Sequence, residues 1–507
     1  MQSTKRYTVQ SATIRGAEAI PVTVEVIVSS GMPGISIVGM PDAAVQEARE
    51  RVRAAIKSSG LSVPGEKIVF NLAPGAVKKT GSGFDLPMAV ALLAATGQIP
   101  TEPLRHKMIV GELSLDGSIR SVNGLVAFQM CASDQGIDLL CAPTFGVVAA
   151  SDRSKVQTVK TLRSFVEADF GSAAVRSCAK PREEVDYSDV GGHIMAKRAM
   201  QIAAAGNLGL LMMGPPGSGK TMLAKRLPTI LPRLTQEEAS ESARIASIVG
   251  EPVEDILEGV RPFRAPHHSA TMAGLVGGGN PVRPGEVSLA HNGVLMLDEL
   301  SEFSHSVLQG LRQPIEDGKV SITRADGNIV MPARFMLIAA SNPCPCGYFG
   351  DPTVSCTCSP SRISTYQNRI GGPLIDRFDM CIDVWRSDFE DVVSGDRTLD
   401  SATMRNAVQE ARRFAFERMR RNPSGSSKSS VANLMEACRM NTSTRAFFKH
   451  AAQRNALSGR AIMRTLRVAR TIADLELRDE VAKEHVAEAL ALRIRVGQEL
   501  AKEDVPA

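Results

Sequence analysis

One stretch of this 507-residue chain has residue types spaced to hold a phosphate: GPPGSGKT, Gly214 to Thr221. It fits the G-x-x-x-x-G-K-[ST] pattern, in which glycines let the backbone wind tightly and successive N–H groups converge on phosphate oxygens at a helix N-terminus. Gly214, Pro215, Pro216, Gly217, Ser218 and Gly219 would form the cradle, Lys220 would reach the β and γ phosphates, and the Thr221 hydroxyl would ligate Mg²⁺. Hydrolysis of the bound nucleotide needs carboxylates at the end of a second strand. VLMLDEL, Val294 to Leu300, supplies them: Asp298 would hold Mg²⁺ and Glu299 would orient and deprotonate the attacking water. A third apolar run, Phe335 to Ala340, ends in Ser341-Asn342, which puts an amide where it could meet the γ-phosphate or the water.

Thiols follow directly. Cys344, Cys346, Cys356 and Cys358 form C-x-C-x₉-C-x-C, enough sulfur for tetrahedral Zn²⁺ although the spacing within each pair is tighter than in the usual knuckle. A structural zinc is the expectation, with packed free thiols or redox pairs as alternatives. Four Cys ligands leave no open position for a catalytic metal.

The elements that must carry these residues follow from pattern. The length is about three times the ~150 residues of a single domain, so several domains are expected. With 43% hydrophobic and 22% charged residues the chain is globular rather than disordered. Only 4% aromatics excludes a base-stacking platform running along the chain. No apolar run reaches the ~18–20 residues of a membrane span, and the opening MQSTKRYTVQ lacks the apolar core of a secretory signal. An odd count of nine Cys with irregular spacing does not read as a disulfide framework, and a cytoplasmic location is expected. The net charge of +5 is unevenly spread. Ala411 to Arg470 carries fourteen Lys or Arg against two acids, Glu417 and Glu436, which reads either as a polyanion-binding block or as a solvated helical surface.

Residues 1–171 read as an α/β domain. Val22, Val24, Val26 and Val28 alternate as in a strand, and a helix is expected after Asp42 with Val45, Ala48, Val52 and Ile56 on one face and Gly60 at its end. Residues 172–188 are polar and read as a linker. Residues 189–384 alternate short apolar strands with helices, the pattern of a mainly parallel sheet covered on both faces. Residues 385–507 are Ala-, Arg- and Leu-rich, as in a helical domain, interrupted by a loop at Asn422 to Ser430. Within the sheet region, KVSITRADGNIVMPA, Lys319 to Ala333, has two alternating runs about Asp326-Gly327, a hairpin signal.

The order GPPGSGKT, VLMLDEL, AASN and GPLIDRFD resembles the AAA+ ATPases, in their magnesium-chelatase-like branch. RPFRAPHHSATMAGLVGGG and NPCPCGY narrow the resemblance to the YifB/ComM family. The resemblance implies a Lon-protease-like N-terminal α/β domain, a central AAA+ P-loop domain and a C-terminal helical lid. It implies ATP and Mg²⁺ as cofactors, Asn342 as sensor 1, and Arg377 as an arginine finger reaching a neighbouring subunit's γ-phosphate. Arg460 in LSGRAIMRTLRVAR is the sensor 2 candidate, with Arg464 and Arg467 as fallbacks. The hairpin resembles a pore element, so Lys319 and Arg324 would face the phosphates of a threaded strand, and GLVGGG resembles a second pore insert. The pair His267-His268 has no carboxylate partner specified by sequence and is read as structural or DNA-facing.

By the same resemblance KKTGSGFDLPM and GELSLDGSIRSVNGLVAFQM are the Lon-type catalytic segments, but Gly83 stands where the Ser nucleophile belongs and Phe128 where the Lys base belongs. Ser82 lies one residue off, and the domain is read as non-catalytic. The implied whole is a homo-oligomeric, hexameric ring motor on single-stranded and branched DNA, with no membrane partner. It would drive helicase and branch-migration activity for homologous recombination during natural transformation. A chelatase-type subunit remodelling a partner protein, or a Lon-like protease, are the alternatives.

Overall fold

The computed structural model describes residues 5–143, 154–173, 185–324, 327–387, 399–421 and 431–493. Most of the expected linker (174–184), the hairpin-tip residues 325–326 and the Asn422–Ser430 loop lie outside the described residues.

The N-terminal region is built on two long strands, β1 (Lys5–Arg15) and β2 (Glu18–Ser29), paired antiparallel from Lys5↔Val28 to Arg15↔Glu18. Period-two alternation puts Val22, Val24, Val26 and Val28 on one face, and all four are buried. With β3 (Gly34–Val38), β4 (Lys67–Ala73), β5 (Lys107–Ile109), β6 (Asp138–Cys141), β7 (Val156–Thr158) and β8 (Gly171–Ser172) they form one mixed sheet ordered β8-β7-β6-β5-β1-β2-β4-β3. Helix α1 (Ala43–Ser58) starts where expected: the Asp42 carboxylate accepts from the Val45 N–H at 2.9 Å, closing an N-terminal donor that the helix cannot satisfy itself. Helix α2 (Asp85–Ala95) is buried along nearly its whole length, which explains why it lacks a polar stripe. At the expected protease segments, the Ser82 hydroxyl donates to Glu112, and Phe128 is buried in an apolar cluster with Met108 and Leu139. The amine of the buried Lys79 donates to the Pro74 carbonyl rather than toward Ser82.

Helix α3 (Leu125–Asp134) docks this region on the next one. Its Val126 packs with Ala243, Ala246 and Val253, and the Gly124 N–H donates to the Ser247 carbonyl at 2.7 Å. A second contact is the β1–β2 turn: Ala17 is buried in the same cluster as Val320, Ile329 and Met331 of the hairpin.

The central region holds helix α4 (Ile194–Gly206), strand β9 (Leu210–Met213), helix α5 (Lys220–Ile230), helix α6 (Gln236–Val249), and strands β10 (Phe263–Arg264) and β11 (Val294–Leu297). The hairpin β12 (Lys319–Arg324) and β13 (Gly327–Pro332), strand β14 (Met336–Ser341) and strand β15 (Met380–Asp383) complete it. Five strands form a sheet ordered β10-β11-β14-β9-β15, parallel at every pairing. Both faces are covered. Leu210, Met212, Met296 and Ile338 enter one apolar cluster, while Leu211, Met213, Leu297 and Ala339 enter another.

The C-terminal region is helical: α7 (Ser401–Arg421), α8 (Val431–Cys438), α9 (Thr442–Arg454), α10 (Gly459–Leu475) and α11 (Lys483–Ala491). Its apolar side joins the cluster of α4 and α5, so the lid packs on these two helices. Tyr187 corrects the linker reading. It is fully buried, its hydroxyl donates to the Leu223 carbonyl at 2.9 Å, and its N–H donates to Ser401 Oγ at 3.0 Å. A single aromatic among acids carries no periodic signal that would have marked it as core.

Much of the basic block is spent on internal structure. Arg418 forms a bidentate pair with Asp474, Arg470 pairs with the same carboxylate at 3.1 Å, and Arg412 donates to the Ala204 carbonyl. Replacing Asp474 by Ala leaves the buried Arg418 guanidinium without its carboxylate, while Arg470 keeps the Arg478 and Asp479 carbonyls, at a cost of about 3 kcal/mol. Asp474→Ala should therefore lower the denaturant midpoint followed by circular dichroism, whereas Arg413→Ala, whose side chain is 71% exposed, should leave it unchanged.

Candidate nucleotide-hydrolysing site

Because the central strands are parallel, their carboxyl ends share one edge, and the expected phosphate, magnesium and sensor residues all follow those ends. Gly214 follows β9. Its N–H donates to the Ser341 carbonyl at 3.2 Å, and a Cβ there would lie 2.0 Å from the Val384 carbonyl oxygen, so only glycine fits. Gly219 has φ +80, the left-handed turn that admits the chain into α5, with the His193 ring beside it. Lys220 is buried, and its amine donates to the Gly214 and Pro215 carbonyls at 2.9 and 2.8 Å and to Ser218 Oγ at 3.2 Å. The cation thus rests on the loop's own oxygens at the place where phosphate oxygens would compete for it. Burial lowers its pKa from the ordinary lysine value to about 8.

The Thr221 hydroxyl donates to Asp298 Oδ2 at 2.7 Å. These two hard oxygen donors lie close enough that both could ligate one Mg²⁺. Mg²⁺ there would be held by Thr221, Asp298 and nucleotide phosphates, and would draw charge from the oxygens being cleaved.

Glu299 adopts φ +51 just after β11, and its carboxylate meets His268 Nδ1 at 3.2 Å. This corrects the reading of the histidine pair. β10 runs parallel to β11 in the register Phe263↔Val294, so the segment after β10 returns to the end of β11 and brings His268 to the glutamate. The His267 ring packs against His268 with centroids 4.0 Å apart. Asn342 follows β14, half-buried, next to the strand end whose carbonyl holds Gly214.

Arg377 lies elsewhere. It precedes β15, where the Gly209 N–H at the foot of β9 donates to Asp379 Oδ2 at 2.8 Å. The whole length of β9, about 13 Å, separates that edge from the phosphate loop. The Arg377 guanidinium is occupied by Glu316 Oε1 at 2.6 Å and the Pro373 carbonyl at 2.5 Å. Helix α10 docks at the same edge: Arg464 reaches Asp379 Oδ1 at 3.0 Å and Arg467 reaches it at 3.2 Å, while Arg460 is exposed at the start of the helix. The structure therefore gathers Gly214 to Thr221, Asp298, Glu299 and Asn342 at one edge, and Arg377 with the helix of Arg460 at the other. Sequence reasoning missed Asp379 as the anchor of the two fallback arginines, although the second acid of DRFD was its signal.

The hairpin forms in the register Lys319↔Pro332 to Arg324↔Gly327. Lys319 and Arg324 are both exposed but five positions apart, so on a period-two strand they point to opposite faces. They cannot line one wall together. Arg324 instead borders a crevice with Arg15 and Lys78 of the N-terminal region. Met272–Val276 of the second expected insert is a short helix, followed by Gly277–Gly278 paired with Arg283–Pro284.

The cysteines are brought together. Cys344, Cys346, Cys356 and Cys358 have all their sulfurs within 4.8 Å of one another. No helix among the described residues is long and apolar enough to cross a membrane.

A parallel sheet with this loop, this carboxylate pair and a helical lid is the architecture of a P-loop protein of the magnesium-chelatase type, and family models match that type. Residues 186–392 match magnesium chelatase, subunit ChlI; residues 24–144 match subunit ChlI of Mg-chelatase; and residues 398–493 match its C-terminal part. The chain is 40% identical over 501 residues to the competence protein ComM of Haemophilus influenzae, covering 96% of this chain and 97% of that one. It is 39% identical over 486 residues to the uncharacterized protein YifB of Salmonella typhimurium, covering 94% and 95% of the two chains. Likeness to the magnesium-chelatase 67 kDa subunit of Chlorobaculum parvum is 28% over 161 residues, 23% of that protein. The chain belongs to the YifB/ComM family of magnesium-chelatase-like AAA+ proteins.

The low Lys220 pKa sets a pH dependence. A bound triphosphate favours the charged amine, so binding takes up a proton where the empty site is neutral, above about pH 8. ATP affinity should fall as pH rises from about 8 toward 10.5, with proton uptake visible as a buffer-dependent binding heat in calorimetry. Identical heats in buffers of different ionisation enthalpy would show that the amine is already charged.

Proposed function

We propose that this chain is a Mg²⁺-dependent ATPase working as a homo-oligomeric ring, a hexamer by family likeness, and that it drives DNA unwinding and branch migration. The setting assigned to it in this reading is homologous recombination of incoming DNA during natural transformation, in the cytoplasm, with the printed name of the competence protein ComM as its support. The observation that carries the ring is the separation of Arg377 from its own phosphate loop by the length of β9. A guanidinium so placed does not reach its own γ-phosphate, and to meet a neighbouring copy's it would have to leave Glu316, against which its side chain is 9% exposed. There it would stabilise charge on the transferring phosphoryl group, an effect worth ~10³ or more in rate. In this reading Lys220 and the loop N–H groups hold the triphosphate, Asp298 and Thr221 hold Mg²⁺, Glu299 activates water, and Asn342 positions it. Arg460 is assigned to the same intersubunit seam. Residues 189–384 form the motor, 385–507 the lid and 1–171 a non-catalytic tier, and a structural zinc at the four cysteines belongs to the same reading.

DNA as the substrate is supported by the name of the ComM relative and by cations of the basic block that remain exposed, including Arg413, Arg420, Arg445 and Lys449. A chelatase-type subunit acting on a partner protein is the second reading, favoured by the family models spanning all three regions.

ATPase activity should rise on adding single-stranded or branched DNA, and Glu299→Gln should bind ATP yet release phosphate at least 100-fold more slowly. Stimulation by a partner protein and not by DNA would instead support the chelatase type. Arg377→Ala should be inactive alone, and mixing it with inactive Lys220→Ala should restore turnover at hybrid interfaces in a phosphate-release assay. No recovery across mixing ratios would refute a finger given in trans.

A further inference from the structure

The cysteine loop does more than bring sulfurs together. The Sγ atoms of Cys344 and Cys346 are 3.3 Å apart, those of Cys346 and Cys356 3.5 Å, and those of Cys344 and Cys356 3.7 Å. Four sulfurs at ~2.3 Å from a tetrahedral Zn²⁺ are about 3.8 Å from one another, whereas a disulfide needs about 2.05 Å. Backbone N–H groups point at the sulfurs, from Phe349 to Cys344 at 3.3 Å and from Cys358 to Cys356 at 3.4 Å.

This cluster rests on the phosphate loop. Gly347, at φ +87 between the second cysteine and Tyr348, comes so close that a Cβ there would lie 2.4 Å from Pro216 Cδ. On the carbonyl side, Arg386 Nη2 donates to the Pro216 oxygen at 3.3 Å while its guanidinium lies over the Tyr348 ring at 5.5 Å. Pro216 is thus held between the turn after Cys346 and an arginine braced by that same turn. Cys344 itself follows Asn342 by two residues and is buried. The Gly347 N–H closes this turn on the Cys344 carbonyl at 3.0 Å, and a cation shared by the four sulfurs would join the turn to the segment of Cys356 and Cys358.

We propose that Cys344, Cys346, Cys356 and Cys358 bind one Zn²⁺ whose work is to hold the phosphate loop open for nucleotide, so that ATP affinity depends on the metal. This regulation rests on the ATPase reading above. Because binding free energies are reciprocal, nucleotide must also tighten the hold on zinc.

The test uses the full chain purified without chelator. Elemental analysis should find about one zinc per chain; absence of stoichiometric zinc, or iron in its place, overturns the assignment. Removing zinc should weaken binding of a fluorescent N-methylanthraniloyl ATP at least tenfold by anisotropy, with recovery on adding zinc back. A zinc-free chain that keeps its far-ultraviolet circular dichroism and binds the probe unchanged overturns the coupling. If the zinc-free chain unfolds, a second measurement decides. Zinc release from the intact protein to a chromophoric chelator should slow at least tenfold with saturating Mg²⁺–ATPγS, and Lys220→Ala should show no such protection. Equal release rates with and without nucleotide overturn the coupling. A zinc-loaded wild-type chain that binds no nucleotide at all overturns the ATPase reading, and the coupling with it, while leaving the metal assignment standing.

Discussion

A buried carboxylate at the foot of the sheet fixes the working parts relative to one another. Asp379, 5% exposed at its side chain, accepts from the Gly209 N–H that opens the phosphate-loop strand and from Arg464 and Arg467 of the lid. Removing such a group from water is costly, and the arrangement holds because two cations and a backbone donor meet it together. Arg493 adds a further tie to the carbonyls of Phe378 and Asp379. The phosphate-loop strand, the Arg377 segment and the C-terminal helices are therefore joined at one point, two residues from Arg377.

The opposite edge works by strand direction. Parallel strands deliver their carboxyl ends to one side, so residues remote in sequence meet without long loops: Thr221 and Asp298 are hydrogen-bonded across 77 positions. Small close approaches then tighten the edge. Gly214 fits beneath the Val384 carbonyl and Gly347 against the Pro216 ring, each at a distance that no side chain would permit.

What the sequence made legible follows from the range of the forces involved. The phosphate loop, the Asp298-Glu299 strand end, the Asp42-capped helix and the hairpin register all depend on contacts within a few residues, or on burial periodicity. Tyr187 was hidden because its anchoring partners, Leu223 and Ser401, are distant in the chain. The His268–Glu299 pair depends on which strand lies beside β11, and sheet order is not written in local pattern. The basic block misleads for a related reason. Net charge counts Arg412, Arg418, Arg464 and Arg470 as surface cations, yet each is committed to a carbonyl or carboxylate inside the fold. Strand parity, by contrast, was readable in advance and already separates Lys319 from Arg324.

The docking of α3 on α6 has a mechanical corollary. An apolar patch, a backbone hydrogen bond from Gly124 to Ser247, and the Ala17 turn packed with the hairpin give the N-terminal region two footholds on the central one. Two such anchorage points remove the swivel that a single tether would leave. A displacement of α6 or of the hairpin must then carry the N-terminal region along with it.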